Sequence, residues 1–327
     1  MEYIKLGNTG LDVSRICLGC MSFGDGTKGD FPWALDEERS RVMIKKALDL
    51  GINFFDTSNV YSAGTSEEFT GKILKEYANR DEIVIASKVF YPVGQGPNSA
   101  GLSRKHIMSQ IDKTLKRLGT DYIDIYYIHR WDDKTPIEET MEALHDLVKA
   151  GKVRYIGAST LYAWQFLKAQ HVAEKNGWTK FVVLQDHYNL MYREEEREML
   201  ELCKADKIGV VPWSPLAAGK LARPWGELDD RAKVDVIAKA IYSSTEDADK
   251  ETVSRVQKLA EKRGVSMAQI ALAWLLNKDV VTAPVFGATE ISHIEDAVAA
   301  TSIKLTEEEM KYLEEAYVPH PVMGITF

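Results

Sequence analysis

Along most of the chain a helix-period run of charged and apolar residues ends in glycine, and a compact apolar run follows at once. Lys46-Ala47-Leu48-Asp49-Leu50-Gly51 leads into Ile52-Asn53-Phe54-Phe55, and Leu115-Lys116-Arg117-Leu118-Gly119 leads into Tyr122-Ile123-Asp124-Ile125. The pattern returns in 147–151 before 153–156 and in 173–177 before 181–184. Glycine just past a helix takes the left-handed conformation at little steric cost, and Lys or Arg in the last turn suits the negative helix end. Further apolar runs at 15–19, 83–87, 208–212 and 280–285 bring the predicted strands to eight. Near-continuous apolar strands alternating with helices predict an α/β fold with a parallel sheet covered by helices. Eight units without a break in composition favour a closed (β/α)8 TIM barrel, one domain over 1–327, rather than an open doubly wound sheet. Ahead of it, residues 3–13 alternate around an Asn/Gly turn and predict a small β-hairpin.

Two stretches interrupt the rhythm: the loop Gln95-Gly96-Pro97-Asn98-Ser99-Ala100-Gly101, and a long charged insertion at 222–248. In a barrel both would lie at the C-terminal face, where the βα loops build the site.

Composition narrows the partners. The 41 Lys and Arg against 49 Asp and Glu leave a net charge of −8, the wrong sign for nucleic-acid or anionic-membrane binding. The uncharged, largely apolar run 264–277 is too short to span a bilayer. The opening Met1-Glu2-Tyr3-Ile4-Lys5 has an early acid and no apolar stretch, so no signal peptide is expected. With only three cysteines, a reducing, cytoplasmic setting is the expectation.

Some motifs tempt and fail. Gly24-Asp25-Gly26-Thr27-Lys28-Gly29 matches a dinucleotide fingerprint, and Asp49 lies at the distance of a ribose-binding acid. The last glycine opens no helix, however, and Asp49 falls inside one, so an ordinary loop is the better reading. Cys17-Leu18-Gly19-Cys20 would point its sulfurs to opposite faces of a strand, and Cys203 brings no matching pair. The histidines lack metal-ligand spacing, so no metal site is expected.

Polar residues where apolar strands stop are more telling. Asp56 ends the second strand with Tyr61 in the loop after it, Lys88 ends the third, and His129 ends the fourth. Each alone reads as a cap, a solvated end or a structural histidine. On successive barrel strands they would converge at one mouth, where ionisable groups shift each other's pKa. A nearby Lys88 favours tyrosinate and is expected to lower the Tyr61 pKa, with Asp56 holding Lys88 charged. Tyr61 could then protonate a carbonyl oxygen as general acid, and His129 could orient it. Such a set supplies a proton but no electrons, so a hydride-donating cofactor is required.

Over essentially its whole length the sequence resembles the aldo-keto reductase superfamily. The resemblance rests on Gly51-Ile52-Asn53-Phe54-Phe55-Asp56-Thr57-Ser58 with Tyr61, Ala86-Ser87-Lys88-Val89, and 121–129 ending in His129. Segment 149–159 and Trp213-Ser214-Pro215-Leu216 add to it. It implies a (β/α)8 barrel binding NADPH across its mouth without a Rossmann motif, and the tetrad Asp56, Tyr61, Lys88 and His129 in the roles above. It further implies Ser159, Thr160 and Gln185 at the nicotinamide carboxamide and Trp213 stacking on the ring, although Trp213 reads equally as barrel packing. Ser214, Leu216, Gly219 and Lys220 would line the pyrophosphate. Gly287, Thr289, Glu295 and Asp296 would surround the adenosine end, and Met21 and Ser22 complete the implied cofactor contacts.

The chain departs from the pattern at three places. Thr160 stands where the family often has Asn. Phe286 and Ser292, with Glu290 nearby, stand where many NADPH-preferring members carry cations, which leaves NADH open. Asp296 stands where Asn is common. The expected activity is reversible reduction of aldehydes or ketones. The alternatives are a cofactor-binding regulatory subunit like the potassium-channel β-subunits in this family, and a lyase using Lys88 as a Schiff base. Phe23, Trp33, Tyr91 and Trp131 are candidates for an apolar substrate pocket, with packing at the barrel rim as the alternative for each. A small carbonyl substrate is the expected partner, and homo-oligomerisation is left open.

Overall fold

The computed structural model describes residues 1–228, 230–243 and 245–325. Strands β1 (Tyr3–Lys5) and β2 (Asp12–Ser14) pair antiparallel as the expected hairpin, with Ile4 opposite Val13. Eight parallel strands follow: β3 (Cys17–Gly19), β4 (Phe54–Asp56), β5 (Val84–Val89), β6 (Ile123–Ile128), β7 (Val153–Ser159), β8 (Val183–Gln185), β9 (Gly209–Val210) and β10 (Val285–Gly287). Their spatial order, β10-β3-β4-β5-β6-β7-β8-β9, is that of a (β/α)8 barrel. Hydrogen bonds from Thr282 N to Val210 O and from Val285 N to Pro212 O, both 2.8 Å, bridge the seam between the last two strands.

Those last strands are shorter than the sequence runs 208–212 and 280–285 suggest. Pro212 and Pro284 have no N–H to give to a ladder. Each serves only as an acceptor, Pro212 O for Val285 N and Pro284 O for Cys17 N. The predicted glycine stops are present, with positive φ at Gly51, Gly119, Gly151 and Gly177.

Successive strand residues point alternately into and out of the barrel. Leu6, Val13, Cys17, Phe54, Ala86, Ile125, Tyr127 and Val183 share one buried cluster, the barrel interior. Leu18, Cys20, Phe55 and Tyr126 belong to the other, between strands and helices. Cys17 and Cys20 thus lie on opposite faces, buried and free. Tyr127 fills the interior because Gly157 faces it: a Cβ on Gly157 would sit 2.7 Å from the Tyr127 ring and 2.6 Å from Val183 Cγ1. The hairpin closes the N-terminal end with Leu6 and Val13.

Outward from β5, Ser87 Oγ donates to Glu67 Oε1 at 2.5 Å, on the helix Thr65–Tyr77. Thr114 Oγ1 donates to the same oxygen at 2.9 Å, and Arg117 Nε donates to Glu67 Oε2 at 2.6 Å. This closed network pins the helix Arg104–Leu118 to its neighbour. The Gly24–Gly29 stretch is loop, and the next helix, Glu37–Asp49, begins well after it and contains Asp49. Among the described residues, no helix is long and apolar enough to cross a membrane, and no group of His, Cys, Asp and Glu could hold a metal ion.

Candidate active site

Period-two alternation carries the interior positions up to the C-terminal mouth, where they change from apolar to polar. Two residues beyond Phe54 stands Asp56, two beyond Ala86 stands Lys88, and two beyond Tyr127 stands His129. Ser159 and Gln185 end β7 and β8 in the same way. Tyr61 arrives from the loop after β4, in a turn where Ser62 and Ala63 hold positive φ (46° and 53°). Such backbone is costly for side-chain-bearing residues and is kept where the surroundings enforce it.

Lys88 is fully buried. Its ammonium donates to Asp56 Oδ1, to Thr57 O at 2.9 Å and to Tyr61 Oη at 3.3 Å. Asp56 Oδ2 accepts from Gln185 Nε2 at 2.9 Å. An ammonium has three hydrogens and no lone pair. Toward Tyr61 it can only donate, so the phenolic hydrogen must go elsewhere, and Tyr61 borders a large cavity.

The electrostatics differ from the sequence expectation at one point. Burial pushes the Tyr61 pKa up; Lys88 pulls it down but Asp56 works against that, so the net shift is upward. Proximity to a cation does not offset the desolvation of the phenol here. Tyr61 is therefore a protonated donor at neutral pH. Burial opposes charge on Lys88, yet Asp56 and Tyr61 together outweigh it and hold the ammonium charged. Burial, then Lys88 and Arg130, keep His129 neutral. His129 Nδ1 lies 3.3 Å from Ser58 Oγ.

The cavity measures about 690 Å³ and runs across the barrel mouth. Asp56, Tyr61 and His129 open onto it; Lys88 sits behind Tyr61. Most of the implied cofactor residues border it: Met21, Ser22, Ser159, Gln185, Trp213 and Ser214 toward the centre, then Leu216, Gly219, Gly287, Thr289 and Asp296 outward. Three do not. Thr160 is buried and accepts from Trp213 Nε1 at 2.9 Å. Lys220 pairs with Glu246 at 3.0 Å, and Glu295 pairs with Lys46 at 2.7 Å. Both Asp296 oxygens are engaged, by Ser266 Oγ at 2.9 Å and Gln269 Nε2 at 2.7 Å.

Of the four candidate pocket aromatics only Tyr91 borders the cavity, its ring 4.9 Å from His129. Phe23 is fully buried in the outer core. Trp131 packs edge-on against Trp164 at 6.0 Å. Trp33 lies beneath the Arg231 guanidinium, 3.9 Å from its ring. Phe31, absent from the sequence reading, borders the cavity and meets the Tyr61 ring edge-on at 5.8 Å.

The 222–248 segment, apart from residues 229 and 244, which lie outside the described residues, carries the short helices Asp230–Val234 and Val236–Tyr242. Arg223, Arg231, Asp235 and Tyr242 from it border the cavity. The sequence placed this insertion at the mouth but gave no signal for which of its residues turn inward. Phe286 is fully buried, and the cations on this part of the wall are Arg223 and Arg231.

The residues present fit a dinucleotide. Gly287 leaves bare backbone on the wall: a Cβ there would sit 3.2 Å from Ser22 Oγ and 3.8 Å from Arg231 Nη1. Ser214, Ala217 and Ala218 hold positive φ (53°, 48° and 54°), a strained turn on the same wall. An indole, amide groups and arginines along one elongated cleft supply stacking, hydrogen bonding and phosphate recognition in turn.

Comparison with known proteins agrees with this geometry. The model of the Aldo/keto reductase family matches residues 15–318. The chain is 45% identical to the Schizosaccharomyces pombe protein named "Putative aryl-alcohol dehydrogenase C977.14c", over 98% of this chain and 97% of that protein. It is 43% identical to the versiconal hemiacetal acetate reductase of Aspergillus parasiticus, over 98% of each. It is 42% identical to an aldo-keto reductase of Fusarium vanettenii, over 99% of this chain and 93% of that one. Barrel, mouth and sequence together place the chain in the aldo/keto reductase family.

Proposed function

We propose that this protein reduces aromatic aldehydes to alcohols with NADPH, reversibly, with Tyr61 as the proton donor. The observation that carries the reading is the hydrogen bond from Lys88 Nζ to Tyr61 Oη, which leaves the Tyr61 hydrogen to the cavity. When bound, the reduced nicotinamide supplies the hydride, to the carbonyl carbon. Tyr61 gives its proton to the carbonyl oxygen. His129, neutral, can donate a hydrogen bond to the same oxygen and orient it. Lys88 stabilises the tyrosinate left behind, and Asp56 holds Lys88 in place.

Ser159 and Gln185 would hold the nicotinamide carboxamide, and Trp213 would offer its ring face. Arg223 and Arg231, the latter paired with Asp235 at 3.0 Å, border the cavity and would face the cofactor's phosphate groups. An aromatic aldehyde suits the edge-to-face run Phe31, Tyr61, His129 and Tyr91, whose ring centroids are 4.9 to 5.8 Å apart. One relative bears the name of an aryl-alcohol dehydrogenase, which points the same way. The Schiff-base reading is disfavoured because a nucleophilic Lys88 would need to be uncharged, and its three partners hold it charged.

The test is absorbance of the reduced nicotinamide with aromatic and aliphatic aldehydes, NADPH and NADH in parallel. Faster loss with NADPH and aromatic aldehydes is expected. Turnover confined to NADH, or absent with every aldehyde, would overturn the reading.

A further inference from the structure

Trp213 is backed by two more rings. His187 lies 4.3 Å from Trp213 at 13° and 4.3 Å from Tyr192 at 10°, so the three are stacked nearly parallel. His187 is fully buried, and Trp213 borders the cavity. The indole thus stands between the imidazole and the cavity. Its edge is fixed by the hydrogen bond from Trp213 Nε1 to Thr160 Oγ1.

A phenyl ring would stack as well as an imidazole, but only the imidazole puts a nitrogen in the ring plane. Here His187 Nε2 lies 2.7 Å from the Tyr242 hydroxyl. That hydroxyl also lies 3.0 Å from Ser214 Oγ and accepts from Asn189 Nδ2 at 3.2 Å. Asn189 Nδ2 donates in addition to Ser214 O at 2.9 Å. Tyr242 ends the helix Val236–Tyr242 of the insertion. Burial, with Arg130 and His320, pushes the His187 pKa down to about 3, so the stack stays uncharged at neutral pH.

We propose that His187 is a positioning residue which, with Tyr242, fixes the plane of Trp213 for stacking of the nicotinamide ring and so ties the insertion helix to cofactor binding. The inference rests on the proposed reading of the cavity as the nicotinamide site.

The test measures Kd for NADPH by titration calorimetry, and Tm, in wild type and in Trp213→Ala, His187→Ala, Tyr242→Phe and the double variants with Trp213→Ala. One aromatic stacking contact corresponds to roughly three- to ten-fold in affinity. Trp213→Ala and His187→Ala should each weaken binding by about that factor, and Tyr242→Phe by about two-fold or more. In the Trp213→Ala background neither second substitution should weaken it further. Wild-type Kd in His187→Ala with a lowered Tm, or additive losses in the double variants, would overturn the inference while leaving the cavity reading intact. Wild-type Kd in Trp213→Ala would overturn both. If His187→Ala does not fold, the Tyr242→Phe and Trp213→Ala cycle decides by the same criteria.

Discussion

Ser87 and Lys88 are consecutive residues of β5, and each serves a buried carboxylate. Ser87 points outward to Glu67, whose oxygens are taken by Ser87, Thr114 and Arg117. Lys88 points inward, donates to Asp56 and Thr57 O, and gives its third hydrogen bond to Tyr61, whose own hydrogen is left to the cavity. The outer network is closed and holds two helices together. The inner one ends in an unspent donor. On the proposed reading, burial and ion pairing alone do not mark the reactive site; what distinguishes it is a chain of donors that runs out at a cavity wall.

The comparison can be broken at either pair. The largest effect is expected for Lys88→Met, which leaves Asp56 without its cation and Tyr61 without the group that stabilises its conjugate base. Turnover of an aldehyde should fall by about 10³-fold. Stability should fall by about 3 kcal/mol, as when one partner of a buried pair is removed. Steady-state kinetics and urea unfolding on one preparation measure both, and a variant that loses stability alone would make the inner pair as structural as the outer one.

Glu67→Gln should cost stability only. Arg117 loses its charge partner, about 3 kcal/mol by the same reasoning, while kcat/KM and its pH profile stay at wild-type values. A shifted pH profile would mean that the two networks communicate through β5.

A third acidic cluster sharpens the contrast at a smaller scale. Asp186 and Glu195 are both buried, and burial pushes both carboxyl pKa values up, with Asp186 adding to the rise at Glu195. A carboxyl protonated in the fold but ionised in the unfolded chain binds its proton only when folded. Its contribution is then complete below the ordinary carboxylate range and declines as pH rises toward the raised value. Glu195→Gln keeps a hydrogen-bond donor without a titrating proton. Its Tm should decline less steeply than that of wild type between about pH 6 and pH 9. A slope equal to wild type would show that this pair does not titrate in that window.

The sequence made the barrel and its polar mouth legible because both follow from short-range rules. Glycine stops and apolar runs located the strands, and period-two alternation carried Asp56, Lys88 and His129 to one end of the interior. It overran at Pro212 and Pro284, whose missing N–H groups are written in the sequence but are ignored when a strand is counted by apolar residues alone. Phe31, Arg231 and Tyr242 were out of reach because their placement depends on how long loops fold back across the mouth. Phe23 was misplaced for a related reason: the short turn Cys20–Ser22 after β3 carries it into the core. The Tyr61 pKa went the other way from the expectation because neighbours can be read from sequence and the depth of burial cannot.

The central claim is that Tyr61 delivers the proton. The most direct test compares Tyr61→Phe with wild type for aldehyde-dependent oxidation of NADPH, with Kd for NADPH measured on the same samples. A rate lowered by about 10²- to 10⁴-fold with an unchanged Kd is the predicted result, and a rate near wild type would contradict the account.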